Sequence, residues 1–490
     1  MQTHSKYKFI TWLRQRNQQR KRTILLTGLM LLLLFLAKLS TAQDSLSAST
    51  LSASQVMSIV KRYHPVARIA DINIDMAKAD ITIARGQFDP QLYSYNAQKT
   101  FDGTDYYNYN RPELNIPTWF GVSISTGLEY LSGSRTDPQE TSGKTSYFGV
   151  TVPLAKNLLM DKRRAALQTA KIYKDASQVE KNVIANNILQ ESIAAYWNWT
   201  LQYQVIQVLN EAVEVNRKRV EFIKTGFRLG DRPGIDTIEA IAQLQNMELL
   251  QYQAILDFNN AGLGLSVYLW TSEQQPYTLP STVIPAPQPG LTELAVPVLD
   301  SLLNAARILH PELRLYDYKL DALAVEKKLK FQELLPTVNF TYNQLGKGYD
   351  VLKTATGPLF ENNFRYGFSV GIPLRFSAGR GEYKKARLKI MEAETAQRYK
   401  QLQVETKVRA YYNELVTLRQ QLLLQENNYK NYQLLLQGEE TRFKNGESSL
   451  FLVNTRENKT LEALQKLQEL RNKYVKTFNS LQWAAGQLLY

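Results

Sequence analysis

Histidine, the side chain that most readily ligates metal or moves a proton near neutral pH, occurs three times in 490 residues, and cysteine not at all. His64 and His310 each stand directly before a proline, in Tyr63-His64-Pro65-Val66-Ala67-Arg68 and Leu309-His310-Pro311-Glu312-Leu313-Arg314. An imidazole there could hold a metal. The simpler reading is a cap before a helix that starts with proline. Carboxylate pairs such as Glu392 and Glu394 could do acid–base work, but on a helix they read as a solvated face or as coiled-coil charge partners. Trp197, Trp199 and Tyr203 fall mid-helix, where aromatics pack. No phosphate-binding glycine loop and no G-x-S-x-G elbow occurs. The chain offers no active site and is expected to be neither an enzyme nor a cofactor binder.

The residues that stand out instead form two turns. One is Phe227-Arg228-Leu229-Gly230-Asp231-Arg232-Pro233-Gly234, followed by Asp236. The other runs from Phe443 through Asn445-Gly446-Glu447-Ser448-Ser449. Glycine and asparagine close helix ends in the left-handed conformation, and serine caps the next start. Gly230 and Gly446 are therefore expected to sit at sharp reversals between helices.

These turns belong to a unit that occurs twice. Besides the two His-Pro segments, Gly149-Val150-Thr151-Val152-Pro153-Leu154 is echoed by Ser369-Val370-Gly371-Ile372-Pro373-Leu374. Ala195-Tyr196-Trp197-Asn198 is echoed by Ala410-Tyr411-Tyr412-Asn413, and Phe227-x-x-Gly230 by Phe443-x-x-Gly446. The order is the same both times, so one plan is repeated. It divides the chain into a first half, 43–275, a proline-rich linker, 276–297, and a second half, 298–490.

Four stretches free of Pro and Gly read as long helices: Leu154–Thr225, Ile235–Ala261, Glu382–Gln437 and Glu447–Ala485. The first would span on the order of 100 Å at a rise of about 1.5 Å per residue. Apolar residues recur with 4-3 spacing at Leu201, Val205, Val208, Ala212 and Val215. A second stripe follows at Ile206, Leu209, Val213, Val220, Ile223 and Phe227. In the second half Leu415, Leu418, Leu422, Tyr429, Tyr432 and Leu436 do the same, with Gln425 in register. Heptad spacing indicates coiled-coil packing, and two neighbouring stripes a helix with a partner on each side. Each half should end in a long antiparallel helical hairpin.

Before each hairpin the period changes to two. Phe364, Tyr366, Phe368, Val370, Ile372 and Leu374 alternate with small or polar residues. So do Val338, Phe340 and Tyr342, then Phe120, Val122, Ile124, Thr126, Leu128 and Tyr130, then Phe148, Val150 and Val152. Ten-residue segments with aromatic ends match transmembrane β-barrel strands. Phe364, Tyr366, Phe368, Val370 and Ile372 are thus expected to face lipid. The first half holds 26 more residues between equivalent prolines than the second, 63 from Pro90 to Pro153 against 37 from Pro336 to Pro373. The sequence leaves open which of 91–101, 119–131 and 146–153 cross a bilayer. Segments 102–118 and 350–363 read as surface loops.

The N-terminus is basic, then apolar from Thr23 to Ala37, then Ser40-Thr41-Ala42. This reads as a secretory signal, residues 1–42, cut before Gln43. It holds eight of the 59 Lys and Arg, which leaves 51 against 45 acidic residues. So mild an excess does not argue for nucleic acid.

The plan of short helix, strands and long helical hairpin, repeated twice behind a signal, resembles the TolC-type outer-membrane efflux channels. The paired prolines Pro153 and Pro373 and the turns at Gly230 and Gly446 carry that resemblance. It implies a mixed α and β membrane protein with an internal duplication. Three copies would join their hairpins into an α-barrel tunnel and give four strands each to a shared β-barrel in outer-membrane lipid. It also implies two partners, a periplasmic adaptor and an inner-membrane pump, with the turns as the periplasmic tip and aperture: Phe227, Gly230, Asp231, Arg232, Gly234 and Asp236 with Phe443, Gly446, Ser448 and Ser449. Asp236 matches an acidic residue that often starts the returning helix. Phe443 replaces a tyrosine that some relatives use in a gating hydrogen bond. Leu452 and Thr455 stand where some relatives carry rings of aspartate, so no cation-binding ring is expected. The function implied is an exit duct of a tripartite efflux or type I secretion system. A periplasmic adaptor has one hairpin rather than two, and a purely structural coiled-coil envelope protein would not need alternating aromatic strands.

Overall fold

A computed structural model describes residues 50–137, 139–288 and 294–488. The expected signal lies outside them. The chain divides into two compact units. In the smaller, β1 (Thr50–Leu51) pairs in parallel with β6 (Ile284–Pro285). The larger takes in Ala53–Leu279 and Pro287–Tyr490, and so the second half and the first from Ala53 onward.

In the larger unit one order of elements recurs. The first half runs α1 (Ala53–Tyr63), α2 (Pro65–Gly86), β2 (Gln91–Phe101), β3 (Thr104–Pro117), β4 (Ser123–Ser132), β5 (Gly143–Pro153), α3 (Lys162–Arg228) and α4 (Gly234–Ser266). The second runs α5 (Leu299–Leu309), α6 (Pro311–Gln332), β7 (Thr337–Lys347), α7 (Val351–Ala355), β8 (Phe364–Gly371), α8 (Ser377–Lys444) and α9 (Leu450–Ala484). Lengths match closely: 22 residues in α2 and in α6, 67 in α3 against 68 in α8, and 33 in α4 against 35 in α9.

The helices start where their sequences cap them. Asp161 accepts from the Arg164 amide at 2.8 Å to open α3, and Ser449 accepts from Leu452 to open α9. Helix α3 packs on α4 in one hairpin and α8 on α9 in the other. Helix α9 also lies along α3, so the hairpins are joined within one chain. Leu415, Leu418 and Leu422 are buried with Val404, Val408, Leu467, Tyr474 and Leu481. The end of the linker seals this core. Leu294 and Val296 pack on it, and the Tyr474 hydroxyl donates to the Leu294 carbonyl at 2.7 Å. In α3 the second stripe is buried at Leu209, Val213, Val220 and Ile223, whereas its Phe227, and Val215 of the first stripe, end up exposed. Among the described residues, no helix is long and apolar enough to cross a membrane.

One antiparallel sheet has the order β2-β3-β4-β5-β7-β8. The sheet holds six strands, where four per copy were expected in the barrel, and most of 102–118, expected as a loop, is a strand. Residues Thr104–Pro117 form β3, joined to β2 by the turn Asp102-Gly103. Both turn residues have positive φ, 50° and 70°, the backbone that tight hairpins require and that Asp-Gly supplies. The 26 extra residues of the first half are absorbed by this added pair. Pro112 lies inside β3, and the ladder to β4 skips Arg111 and Pro112 because proline has no N–H to give. The other expected loop, 350–363, contains the short helix α7.

Pairing across the sheet separates two faces. Val370, Val338, Val152, Val150, Ile124 and Ile116 share one with Phe364, Tyr366, Phe368, Phe340, Tyr342, Phe148 and Leu128. The other carries Glu113, Ser125, Glu129, Thr145, Tyr147, Asn343, Arg365 and Ser369.

Candidate functional site

The two hairpin turns close with the same backbone bonds. In the first, the Asp231 amide donates to the Gly226 carbonyl at 2.9 Å and the Leu229 amide to Thr225 at 3.1 Å. In the second, Glu447 donates to Arg442 at 2.9 Å and Asn445 to Thr441 at 3.1 Å. Gly230 and Gly446 have φ of 81° and 80°, with no atom within 4 Å of where a Cβ would stand. Backbone conformation rather than space therefore demands glycine here. A side chain would cost about 1–2 kcal/mol.

The structure joins the two turns. Arg232 places its guanidinium carbon 4.1 Å from the centre of the Phe443 ring and donates through Nη2 to the Phe443 carbonyl at 3.1 Å. Phe443 is buried with Val220, Ile223, Ala240, Leu450 and Val453, drawn from four helices. Phe227 lies against Gly234, whose Cβ would stand 3.3 Å from the ring. Ser448 donates to Glu439, and Ser449 caps α9. Asp231 is exposed. Asp236 sits in the first turn of α4, where the helix dipole favours a carboxylate.

Sequence reasoning missed a buried charge network behind the tip. Arg219 of α3 donates through Nη1 to Glu457 Oε2 of α9 at 2.6 Å and through Nη2 to Glu440 of α8 at 3.3 Å. Asn216 Nδ2 donates to the other Glu457 oxygen at 3.1 Å, and Asn454 Nδ2 to Glu239 of α4 at 3.1 Å. All four helices of the hairpins are thereby tied. The signal was present in the stripes. Continuing the 4-3 spacing beyond Val215 lands on Arg219, and the gap between Val213 and Val220 is filled by Asn216. Polar residues in core register fix pairing at a cost in stability.

The polar face of the sheet holds a second cluster. Arg111 of β3 meets Glu113 at 3.0 Å, Glu129 of β4 at 3.4 Å and the Tyr147 hydroxyl of β5 at 3.1 Å. Tyr147 is fully covered, and Gly127 leaves room for its ring, which would lie 2.7 Å from a Cβ there. The residues expected to face lipid, Phe364, Tyr366, Phe368 and Val370, line the opposite face of β8; Ile372 lies just beyond the strand and is exposed.

His64 caps α2, its Nδ1 accepting from the Val66 amide at 3.2 Å. His310 occupies the same place before α6 but makes no side-chain cap. Its backbone also ends α5, and Gly486 closes against it. Burial lowers the pKa of both rings below the ordinary value of 6.5. The unfolded chain then takes up protons that the folded chain refuses, so stability present above about pH 6.5 is lost as pH falls below it. Thermal unfolding should show this decline between pH 7.5 and 5.5, and it should shrink in the His64→Gln/His310→Gln variant. An unchanged decline in that variant would assign it to other groups.

Among the described residues, no group of three or more His, Cys, Asp or Glu is placed to hold a metal ion. The geometry is that of two helical turns joined by packing and charge, together with a two-faced sheet. Comparisons with known proteins agree with it. Residues 302–487 match the family model for outer membrane efflux proteins. No curated protein matches the chain. Among solved structures, the Campylobacter jejuni CmeC outer membrane channel is similar at 14% identity and a TM-score of 0.63, covering 89% of this chain and 86% of that one. The Vibrio cholerae outer membrane protein VceC gives 14%, 0.62, 89% and 96%. The Neisseria gonorrhoeae MtrE outer membrane channel, solved in its open state, gives 13%, 0.61, 89% and 89%. At these identities the structures speak for the fold. The resemblance to TolC-type outer-membrane efflux proteins read from the sequence is upheld, and that family is one of non-enzymatic ducts.

Proposed function

We propose that three copies of this chain form a passive exit duct across the outer membrane. The duct reaches into the periplasm and receives small molecules or secreted polypeptide from an inner-membrane pump through a periplasmic adaptor. The sheet provides the crossing and the helical hairpins the reach. The tips at 227–236 and 443–449 close the duct and meet the adaptor. Opening is a relaxation of the packing at that tip on partner binding.

One observation carries the ring assembly: surfaces covered in one half of the chain lie bare at the equivalent place in the other. Helix α3 packs between α2 and α6, whereas α8 has α6 on one side and no extensive helical contact with α2. Ile69, Ile72, Met76 and Ile83 form an exposed heptad stripe on α2. Leu315, Tyr318, Ala322 and Leu329, at the matching places of α6, are buried or half-buried. Likewise α9 lies on α3, but nothing comparable joins α4 to α8. Leu249, Tyr252, Leu256 and Leu263 of α4 are exposed, as are Leu388, Met391, Tyr399 and Leu402 of α8. A neighbouring copy in cyclic symmetry covers both sets. In lipid, open sheet edges must also be closed by neighbours.

Detergent extracts of the outer membrane should contain a heat-resistant trimer that gives stepwise conductance in a planar bilayer. A chain that stays soluble without detergent, or that runs as a monomer from its native membrane, overturns the proposal.

A further inference from the structure

We infer that the ring is built from six strands per copy, β8 of one copy pairing with β2 of the next, so that three copies close eighteen strands. This rests on the trimeric duct proposed above and adds the seam and its register. It departs from the four strands per copy that the family resemblance implied.

The sheet is an uninterrupted antiparallel meander with an even number of strands, so its edge strands β2 and β8 run in opposite directions. Each leaves one edge without a ladder partner among the described residues. Copies related by rotation about the membrane normal therefore bring β8 and β2 together antiparallel, with the same face outward.

The chain contains a template for that join. Strand β5, just before Pro153, pairs with β7, just after Pro336. Strand β8 stands in the same relation to Pro373, and β2 to Pro90. In the template, Gly149, four residues before its proline, pairs with Asn343, seven after its own. The equivalent pair is Ser369 with Ala97. A slip of one residue would exchange the faces, so the two residues must share a face. Ser369 lies on the polar face through its pairing with Asn339, which shares that face with Pro153 and Thr341. Ala97 lies on the same face through Tyr109 and Leu131, in line with Arg111 and Glu129. The register inferred from the repeat therefore keeps both faces continuous across the seam.

The added hairpin is not a loose flap. Strand β3 is laddered to β4 from Pro117 to Asn108, and Arg111 reaches across β4 to the Tyr147 hydroxyl. The outward face of the hairpin is apolar at its base, with Leu92, Leu114 and Ile116, and carries Asn96, Gln98, Asn108 and Asn110 above. The apolar belt is accordingly lower over β2 and β3 than over β8. A ring of eighteen strands is about 1.5 times as wide as one of twelve, since diameter grows roughly linearly with strand number.

The chain has no cysteine, so introduced pairs report without background. Ala97→Cys with Ser369→Cys, on opposite edges of one sheet, can bond only between copies. After mild oxidation in native membranes, most of the chain should run as dimer and trimer on non-reducing gels and return to monomer on reduction. The competing seam places β8 against β4, and Ser369→Cys with Ser123→Cys or Ser125→Cys tests it. Bonding there, with Ala97 silent, overturns the six-strand ring and leaves the duct standing. Silence in all three variants together with monomers in the membrane overturns both.

Discussion

Replacing Arg219 by alanine is expected to destabilise the hairpin assembly by about 3–5 kcal/mol, the usual cost of breaking a buried ion pair from one side. The cost comes from what remains. Glu457 is 6% exposed, and among the described residues only Arg219 and Asn216 balance and bind it. Without the guanidinium its carboxylate must stay charged in an apolar bundle, take up a proton, or pull water between the helices. Each course loosens α3 from α9 near the tip. The Arg219→Met/Glu457→Leu double variant should recover most of the loss, because no charge is then stranded. The single variant should unfold at lower temperature and raise passive uptake of a large dye by whole cells. The double variant should unfold near the wild-type temperature. If the single variant unfolds and excludes dye like the wild type, the network does not hold the tip.

Arginine at Phe368 should be nearly as damaging, and arginine at Ser369 should not. The two are neighbours in β8 and point to opposite faces, one with Phe340 and the other with Asn339. On the side proposed to face lipid, near mid-membrane, arginine costs about 2–4 kcal/mol in each copy. On the polar side it joins the face that carries Arg365, Asn343 and Glu129, the proposed duct wall. Phe368→Arg is therefore expected to abolish heat-resistant oligomer in outer-membrane extracts. Ser369→Arg should preserve the oligomer and alter its ion selectivity in planar bilayers. Equal tolerance of both changes would remove the assignment of faces.

Much of this site could be read in advance from local chemistry. The left-handed turns at Gly230 and Gly446, the serine cap of α9 and the proline starts of α2 and α6 depend on a few neighbouring residues, so their types announced them. The alternation through Phe364–Leu374 announced β8 for the same reason. The extra hairpin was misjudged because its composition, rich in Tyr, Asn and Asp, resembles a loop. Asp102-Gly103 between two alternating runs was the better guide. Arg219 and Asn216 were visible as polar residues in a heptad, but their partners Glu457, Glu440 and Asn454 lie more than 200 residues away.

The sequence by itself determined what is periodic or covalently local: the order of the long helices and its recurrence, the turns between them, the alternation of faces in the strands it identified, and the absence of disulfide chemistry. Only the tertiary structure decided which elements meet. It packed α9 along α3, seated Arg232 on Phe443, gathered Arg111, Glu129 and Tyr147 on one wall, and ordered six strands in a single sheet. Such contacts are chosen by which distant surfaces bury apolar area and pair polar groups together, and no run of neighbouring residues encodes that choice.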